Sequence, residues 1–299
     1  MHVLILYAIV VLIWGSTWAA IPYQFGVVAE EVSIAYRFGL GAVALYIYAL
    51  LTRRTIRLPL HQYPMVILQG LLLFSINYFF VYYGTGYITT GLVAVTFSLI
   101  VACNAFFERI FFRTPLEGRL MFASLLGLLG IAFIFWPEVD TLSLQDRSIY
   151  GLLLVVVGIV TASLGNMAAV VNTGRNLPVV AVNAHGMVWG TLLSLAVAAG
   201  LGREFNFSFE PAYIWSLLFL AIFGSAIAFG SYLALIRKIG SARAAYTSVL
   251  FPVVALMIST VVEDYQWSGL AAIGVALTLG GNWLALRRTK RPSAYSRQQ

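Results

Sequence analysis

Hydroxyl-bearing and aromatic side chains recur at helical spacing in two apolar stretches of the chain. The first stretch contains Ser75, Tyr78, Phe79 and Tyr82, and the second contains Ser225, Ala228, Phe229 and Tyr232. Residues at such i, i+3, i+4 and i+7 positions share one face of a helix. Because polar side chains are costly against lipid, we expect both faces to point into a helical bundle and to bind a solute there. For Tyr82, near the end of its stretch, an aromatic belt at a membrane surface is the alternative.

Two further segments bring together aromatic, hydroxyl and amide side chains. Residues 14–18 read WGSTW, and residues 163–167 read SLGNM. On a helix, Trp14, Thr17 and Trp18 share one face. Flat apolar walls with polar edges suit an amphipathic organic solute, whereas a bare inorganic ion would need rings of carbonyl or carboxylate oxygens.

Three more polar or aromatic residues lie within apolar stretches. Asn77 would either form a hydrogen bond between helices or contact the substrate, and the sequence leaves both open. His185 and Trp189 stand four residues apart, on one helical face; a lone histidine is more often structural than a proton carrier. The predicted substrate-binding residues are Trp14, Thr17, Trp18, Ser75, Asn77, Tyr78, Tyr82, Ser163, Asn166, His185, Trp189, Phe229, Tyr232 and Ser248.

Arg37 is a base placed inside an apolar stretch, close to one of its ends. A long cationic side chain in this position is expected to extend to the membrane surface, where Glu30 or Glu31 would pair with it. The alternative is a group that attracts anions at the mouth of a cavity. The first interpretation is the one we favour from the sequence.

The composition excludes an ordinary soluble domain and indicates an all-α membrane protein. Hydrophobic residues make up 61% of the 299 residues, charged residues 10%, and the mean hydropathy is +0.91. A membrane-spanning helix needs roughly 20 apolar residues. Ten such spans are predicted, at residues 3–22, 32–52, 64–83, 88–108, 118–136, 149–171, 178–200, 212–235, 244–262 and 268–286.

The chain repeats itself at an offset of 150 residues. The coincidences include Gly15/Gly165, Ser75/Ser225, Phe79/Phe229, Tyr82/Tyr232, Ser98/Ser248 and Gly130/Gly280. A fixed period of this kind indicates an internal repeat. The prediction is a first five-helix repeat (1–136), an extracytoplasmic hinge loop (137–148), a second repeat (149–286) and a basic tail (287–299).

The distribution of basic residues predicts the orientation. Lys and Arg collect in cytoplasmic loops, and alternate loops together with the tail hold fifteen of the eighteen, whereas the opposite loops hold only Arg147 and Arg203. Both termini are therefore predicted to be cytoplasmic. Since each repeat has five spans, the second copy must be inverted relative to the first, an arrangement typical of transporters.

No motif of a known catalytic, metal or cofactor site stands out in the sequence. HExxH, GxSxG, a Walker loop and a GxGxxG followed by a soluble βαβ unit are all missing. We therefore expect neither an enzyme nor a cofactor, metal or nucleic-acid partner. An intramembrane enzyme, with Ser225 or Ser248 as nucleophile and His185 as base, and a non-transporting scaffold remain as alternatives.

The segment IWGSTWAA (13–20), the repeat and the pattern of Tyr232, Ile239, Ala244 and Pro252 resemble the EamA type of the drug/metabolite transporter superfamily. Within it, the chain is most similar to bacterial YddG-type exporters of aromatic and other amino acids. The resemblance covers nearly the whole chain. The first copy departs from the pattern, because Ala102 stands where the second copy has Pro252.

The resemblance implies alternating access and export across a bacterial inner membrane. It also implies a central cavity lined by the first, third, fourth, sixth, eighth and ninth spans. The expected partners are small-molecule substrates, amino acids above all, and the lipid bilayer, with the protein a monomer or weak homodimer. The alternative within transport is another metabolite or drug, such as a nucleotide sugar, although these would need more bases than Arg37.

Overall fold

The computed structural model describes residues 2–88, 93, 96–115, 117–136, 147–262 and 267–286, which form helices and loops without any strand. The predicted all-α class is thus confirmed. Within these residues, seven helices are long and apolar enough to cross a membrane: Glu30–Leu51, Leu60–Thr85, Ser148–Gly174, Val179–Gly200, Pro211–Ile239, Ser241–Ile258 and Gly269–Leu286.

The three other predicted spans differ from these seven. Val3–Thr17 and Gly118–Ile134 are apolar helices but shorter, and the predicted span 88–108 lies partly outside the described residues. Most of the predicted hinge (137–146) and the whole tail (287–299) also lie outside them.

The described residues of the first half form six α-helical segments. These are α1 (Val3–Ala20), α2 (Glu30–Leu51), α3 (Tyr63–Leu71), α4 (Asn77–Thr85), α5 (Ile100–Phe112) and α6 (Gly118–Ile134). Short 3₁₀ turns, Ile21–Gln24 and Leu60–Gln62, follow α1 and precede α3.

The second half continues with α7 (Ser148–Gly174), α8 (Val179–Gly200), α9 (Pro211–Phe219), α10 (Ala228–Ile239), α11 (Ser241–Ala244), α12 (Phe251–Val262) and α13 (Gly269–Leu286). Gly240, at φ +83°, separates α10 from α11. A backbone angle of this sign suits glycine, which has no Cβ to clash.

Three of the long apolar helices are interrupted within their length. The first π segment (Leu72–Ile76) joins α3 to α4, and the second π segment (Leu220–Ile227) joins α9 to α10. A 3₁₀ segment, Ala245–Leu250, stands between α11 and α12. It ends two residues before Pro252, whose ring nitrogen cannot donate a helical hydrogen bond. Such interruptions turn the following residues to a new face and are frequent at functional sites.

Glycines allow several helices to approach each other closely. Gly130 of α6 faces α13, where an added Cβ would lie 2.4 Å from Thr278 Oγ1 and 2.6 Å from the Gly274 oxygen. Between α3 and α8, a Cβ on Gly70 would lie 2.2 Å from the Gly186 oxygen. Lipid offers helices no hydrophobic reason to associate, so close packing of this kind has to hold them together.

A chain of buried polar contacts ties the outer helix pair, α6 and α13, to the remainder of the bundle. The Tyr7 hydroxyl on α1 donates to Asn282 Oδ1 on α13 at 3.0 Å. Asn282 Nδ2 in turn donates to the Tyr246 oxygen at 2.8 Å, and the Tyr246 hydroxyl lies 2.8 Å from Ser124 Oγ on α6. These groups satisfy one another's hydrogen bonds inside the bundle, where Tyr7, Tyr246 and Asn282 are buried.

The glycine contacts predict a sharp contrast between two alanine substitutions. Gly130→Ala should lower the melting temperature in detergent, because its new methyl group would push α6 away from α13. Gly280→Ala, on α13, should be neutral or slightly stabilising, since nothing lies within 4 Å of a Cβ there and alanine favours the helix by about 1 kcal/mol. Equal melting temperatures for the two variants would contradict the described packing of α6 on α13.

Candidate functional site

A cavity of about 100 Å³ lies between the helices. Its walls come from α1, α2, α4, α5, α7, α10, α12 and the segments beside them, and no described residue of α6, α8 or α13 takes part. For comparison, an engineered cavity of roughly 150 Å³ in another protein binds benzene. The space is therefore sufficient for several water molecules or one small organic group.

Trp14 forms the centre of an aromatic wall of this cavity. Its ring lies 4.8 Å from that of Phe229, 5.1 Å from that of Tyr232 and 5.7 Å from that of Phe251. Its indole Nε1–H donates to the Gly224 oxygen in the second π segment at 2.8 Å. The indole is thus fixed in orientation and presents an apolar surface with its polar edge already satisfied.

Arg37 lies on the cavity and is only 2% exposed. Its Nε donates to Ser225 Oγ at 3.1 Å, and its two terminal nitrogens donate to the Tyr82 and Tyr78 hydroxyls at 3.4 Å each. The guanidinium also lies over the Tyr78 ring, 4.8 Å from its centroid. The prediction that Arg37 extends to the membrane surface is therefore wrong.

Glu31 is not available to Arg37, because a residue from the second half occupies it. Arg203, in the loop between α8 and α9, donates to Glu31 Oε1 through Nε and Nη2 at 3.3 Å each, and the Tyr83 hydroxyl donates to the same oxygen. The Glu31 carboxylate accordingly raises the pKa of the Arg203 guanidinium. Within the described ranges, Arg37 forms no salt bridge.

Asparagine and hydroxyl side chains supply the other polar groups of the lining. Asn77 and Asn166 are buried, and no described residue donates to their Oδ1 atoms. Asn166 Nδ2 donates to Asn104 Oδ1 at 3.3 Å, which fixes the orientation of its amide. The Thr17 and Ser248 hydroxyls donate to carbonyl oxygens of their own helical turns at 2.7 Å each, so their oxygens keep free acceptor capacity.

The family model of the EamA-like transporters matches the chain over residues 1–136 and 149–287. The chain belongs to the EamA-like transporter family. It is therefore a multi-pass membrane transporter, whose partners are the lipid bilayer and a small-molecule substrate.

Relatives of this EamA-like transporter are described as transporters without a stated substrate. An uncharacterized transporter of Archaeoglobus fulgidus is 23% identical over 95% of this chain and 98% of its own length. YoaV of Bacillus subtilis, also an uncharacterized transporter, is 22% identical over 83% of this chain and 84% of its own. A crystal structure with 19% identity superposes with a TM-score of 0.79, covering 94% of this chain and 95% of that one; this likeness shows the fold alone.

The transporter's structure brings nine of the predicted site residues to the cavity: Trp14, Thr17, Asn77, Tyr78, Tyr82, Asn166, Phe229, Tyr232 and Ser248. Their role in binding stays a prediction. Arg37 joins them although it was not among the predicted residues. In the sequence, Arg37 is recognisable as a base within an apolar helix. This alone does not tell whether the side chain points into the bundle or out of it. The Trp18 side chain lies outside the described part.

Four predicted residues lie away from the cavity. Ser75 Oγ is 2.8 Å from Ser194 Oγ on α8, and Ser163 Oγ donates to Asn104 Oδ1 at 2.6 Å. Trp189 of α8 is 36% exposed. The fourth residue is His185.

His185 connects α8 to α2 and to the loop after α2. Its Nδ1 lies 3.0 Å from the Tyr46 hydroxyl, and its Nε2 lies 2.9 Å from the Ile56 oxygen. A carbonyl oxygen can only accept, so the neutral imidazole with its proton on Nε2 satisfies both partners. This geometry matches the structural interpretation of the histidine.

His185→Ala should therefore lower the melting temperature without changing the KM for transport. The variant removes two part-buried hydrogen bonds, to the Tyr46 hydroxyl and the Ile56 oxygen, which typically contribute about 0.5–1.5 kcal/mol each. Thermal unfolding in detergent and uptake kinetics in liposomes give the two quantities. A raised KM at an unchanged melting temperature would instead make His185 part of the substrate site.

Proposed function

We propose that this transporter exports amino acids, aromatic and other neutral ones, and similar amphipathic metabolites. The observation that carries the proposal is the lining of the cavity. One wall is aromatic, around Trp14, and Arg37, Tyr78 and Asn77 add polar groups to the same lining. Sites of this composition bind solutes with an apolar body and a polar end. The outward direction and the inner-membrane location rest on the resemblance to YddG-type exporters.

We also infer that the ten predicted spans form two inverted five-helix repeats, residues 1–136 and 149–286. The two π segments, Leu72–Ile76 and Leu220–Ile227, support this, because they overlap when one is shifted by 150 residues. The packing supports it as well: α4 packs on α7 as α10 packs on α1, and α5 packs on α7 as α12 packs on α1. A twofold axis would exchange the members of each set.

Alternating access would proceed by rocking of these two halves. Polar contacts join the halves on both sides of the span Pro211–Ile239: Glu31 with Arg203 before it, and Glu108 with Ser241 after it. Glu108 Oε1 accepts from the Ser241 amide at 2.8 Å and from its hydroxyl at 2.6 Å. Opening one end requires breaking one set of contacts while the other set remains.

Removal of the central aromatic ring tests the binding role of the cavity. Trp14→Ala should raise the KM for phenylalanine in liposomes, because a buried aromatic contact typically contributes about 1–3 kcal/mol. Trp215→Ala is the matched control, since this tryptophan on α9 is 71% exposed and should be replaceable without effect on KM. Equal kinetics for wild type and Trp14→Ala would place the transport site outside this cavity.

The proposed orientation predicts where reporters fused to the chain will be active. A phosphatase reporter that works only outside the cytoplasm should be active after Asp140 and inactive after Arg53 or Arg237. The reason is the excess of bases on the side of the last two positions. The opposite pattern of activity would reverse the inferred topology.

A further inference from the structure

The Arg37 guanidinium is a buried charge whose described partners are all neutral. A guanidinium has five N–H donors, and the structure gives Arg37 three hydrogen bonds, to the hydroxyls of Ser225, Tyr82 and Tyr78. The carboxylate nearest in sequence, Glu31, is bonded to Arg203 and Tyr83. A charge taken out of water is stable only when an opposite charge or a full set of hydrogen bonds compensates it. Arg37 thus retains the capacity to bind an anion.

The terminal nitrogens of Arg37 are the loosely held part of this group. Their distances to the Tyr78 and Tyr82 hydroxyls are 3.4 Å, whereas a charge-assisted bond from nitrogen to a carboxylate oxygen is about 2.7–2.9 Å. The remaining nitrogen, Nε, is anchored on Ser225 at 3.1 Å. The guanidinium is consequently held in place at one corner while its planar fork stays open to a stronger acceptor.

We propose that Arg37, together with the Tyr78 and Tyr82 hydroxyls, binds the carboxylate group of the transported solute. The inference rests on the proposed function, in that the cavity is the transport site. A phenol can donate its proton to the incoming carboxylate while its oxygen continues to accept from Arg37. The apolar part of the solute then lies against the ring of Trp14, which also lines the cavity.

The charge of the site selects a substrate class. One guanidinium balances one carboxylate, so a monocarboxylate fits. A zwitterionic amino acid fits as well when its ammonium donates to the Asn77 and Asn166 Oδ1 atoms, to which no described residue donates. A phosphate ester carries close to two negative charges at neutral pH and would leave one of them uncompensated among apolar walls. Positively charged amines without a carboxylate would meet a like charge and should be rejected.

The wild-type protein gives the first test, which requires no variant. In proteoliposomes, unlabelled phenylalanine, phenylalaninamide and phenethylamine compete with labelled phenylalanine for uptake. We expect phenylalanine to compete roughly tenfold to a hundredfold better than either analogue, the factor that a charge-assisted hydrogen bond corresponds to. Equal competition by all three would overturn the carboxylate site while leaving a transporter.

Variants then assign this preference to Arg37. Arg37→Gln should lose most of the discrimination between phenylalanine and phenethylamine, and Arg37→Lys should retain part of it, since lysine keeps the charge but not the fork. Arg175→Gln is the control: that residue also bonds to a neutral partner, Gln62, but on the surface, and the full preference should remain. Tyr78→Phe should reduce the preference partially.

The outcomes separate a binding role from a purely structural one. If the only role of Arg37 is to hold α2 against α4 and the second π segment, Arg37→Gln would weaken the binding of phenylalanine and of phenethylamine by the same factor. That result would overturn the inference. If Arg37→Gln does not fold, the preference for phenylalanine over phenethylamine is measured in Arg37→Lys and Tyr78→Phe instead. An unchanged preference in both variants would likewise overturn the inference. A wild-type protein that transports none of the three solutes would remove the proposed function, and the inference with it.

Discussion

Polar groups packed between the helices of this bundle are out of reach of bulk water, so they depend on partners on neighbouring helices. This constraint decides which helices adjoin. Asn282 joins α13 to α1 and to the 3₁₀ segment through Tyr7 and Tyr246, and Asn104 joins α5 to α7 through Ser163 and Asn166. Apolar side chains, which face lipid as readily as one another, provide no comparable specificity. The fold therefore depends on a small number of buried hydrogen bonds and on the glycines that let helices approach.

The two halves of the chain, which buried hydrogen bonds join in the interior, are also joined by charged contacts at both ends of the bundle. Arg203, at 43% side-chain exposure, holds Glu31, and Arg243, at 28%, holds Glu117 at 2.7 Å. A partly solvated pair such as Arg243–Glu117 typically contributes about 0–1 kcal/mol. The Glu31 side chain is 0% exposed, so parting it from Arg203 would leave a buried carboxylate without its partner. The Arg243 end can thus open at low cost, whereas opening the Glu31 end costs more, and the buried ties and the glycine contacts hold helices of the two halves together in the interior.

The aromatic lining could be predicted from the sequence, whereas the direction of isolated polar residues could not. The spacing of Tyr78 with Tyr82, and of Phe229 with Tyr232, identified a helical face because hydroxyls recur on it. His185 and Trp189 have the same four-residue spacing as Tyr78 and Tyr82, yet α8 lies behind the cavity, since an apolar helix gives no indication of which face is inside. The sequence does not predict the inward direction of Arg37, because its natural partner, Glu31, is bound by Arg203, which stands 172 residues later. Only the three-dimensional fold shows that competition.

The neutral partners of Arg37 explain how one site could bind a carboxylate and still release it. A fixed carboxylate beside the guanidinium would form a permanent pair and exclude the substrate. No partner at all would leave a bare charge in a cavity of low polarity, at a cost of several kcal/mol. The hydroxyls of Ser225, Tyr78 and Tyr82 avoid both problems. Their long, neutral hydrogen bonds stabilise the guanidinium in the empty site without competing strongly with a substrate carboxylate. Addition of a substrate carboxylate to this group of hydroxyls and guanidinium is therefore a change between two compensated states, which is what rapid loading and release on opposite sides of a membrane require.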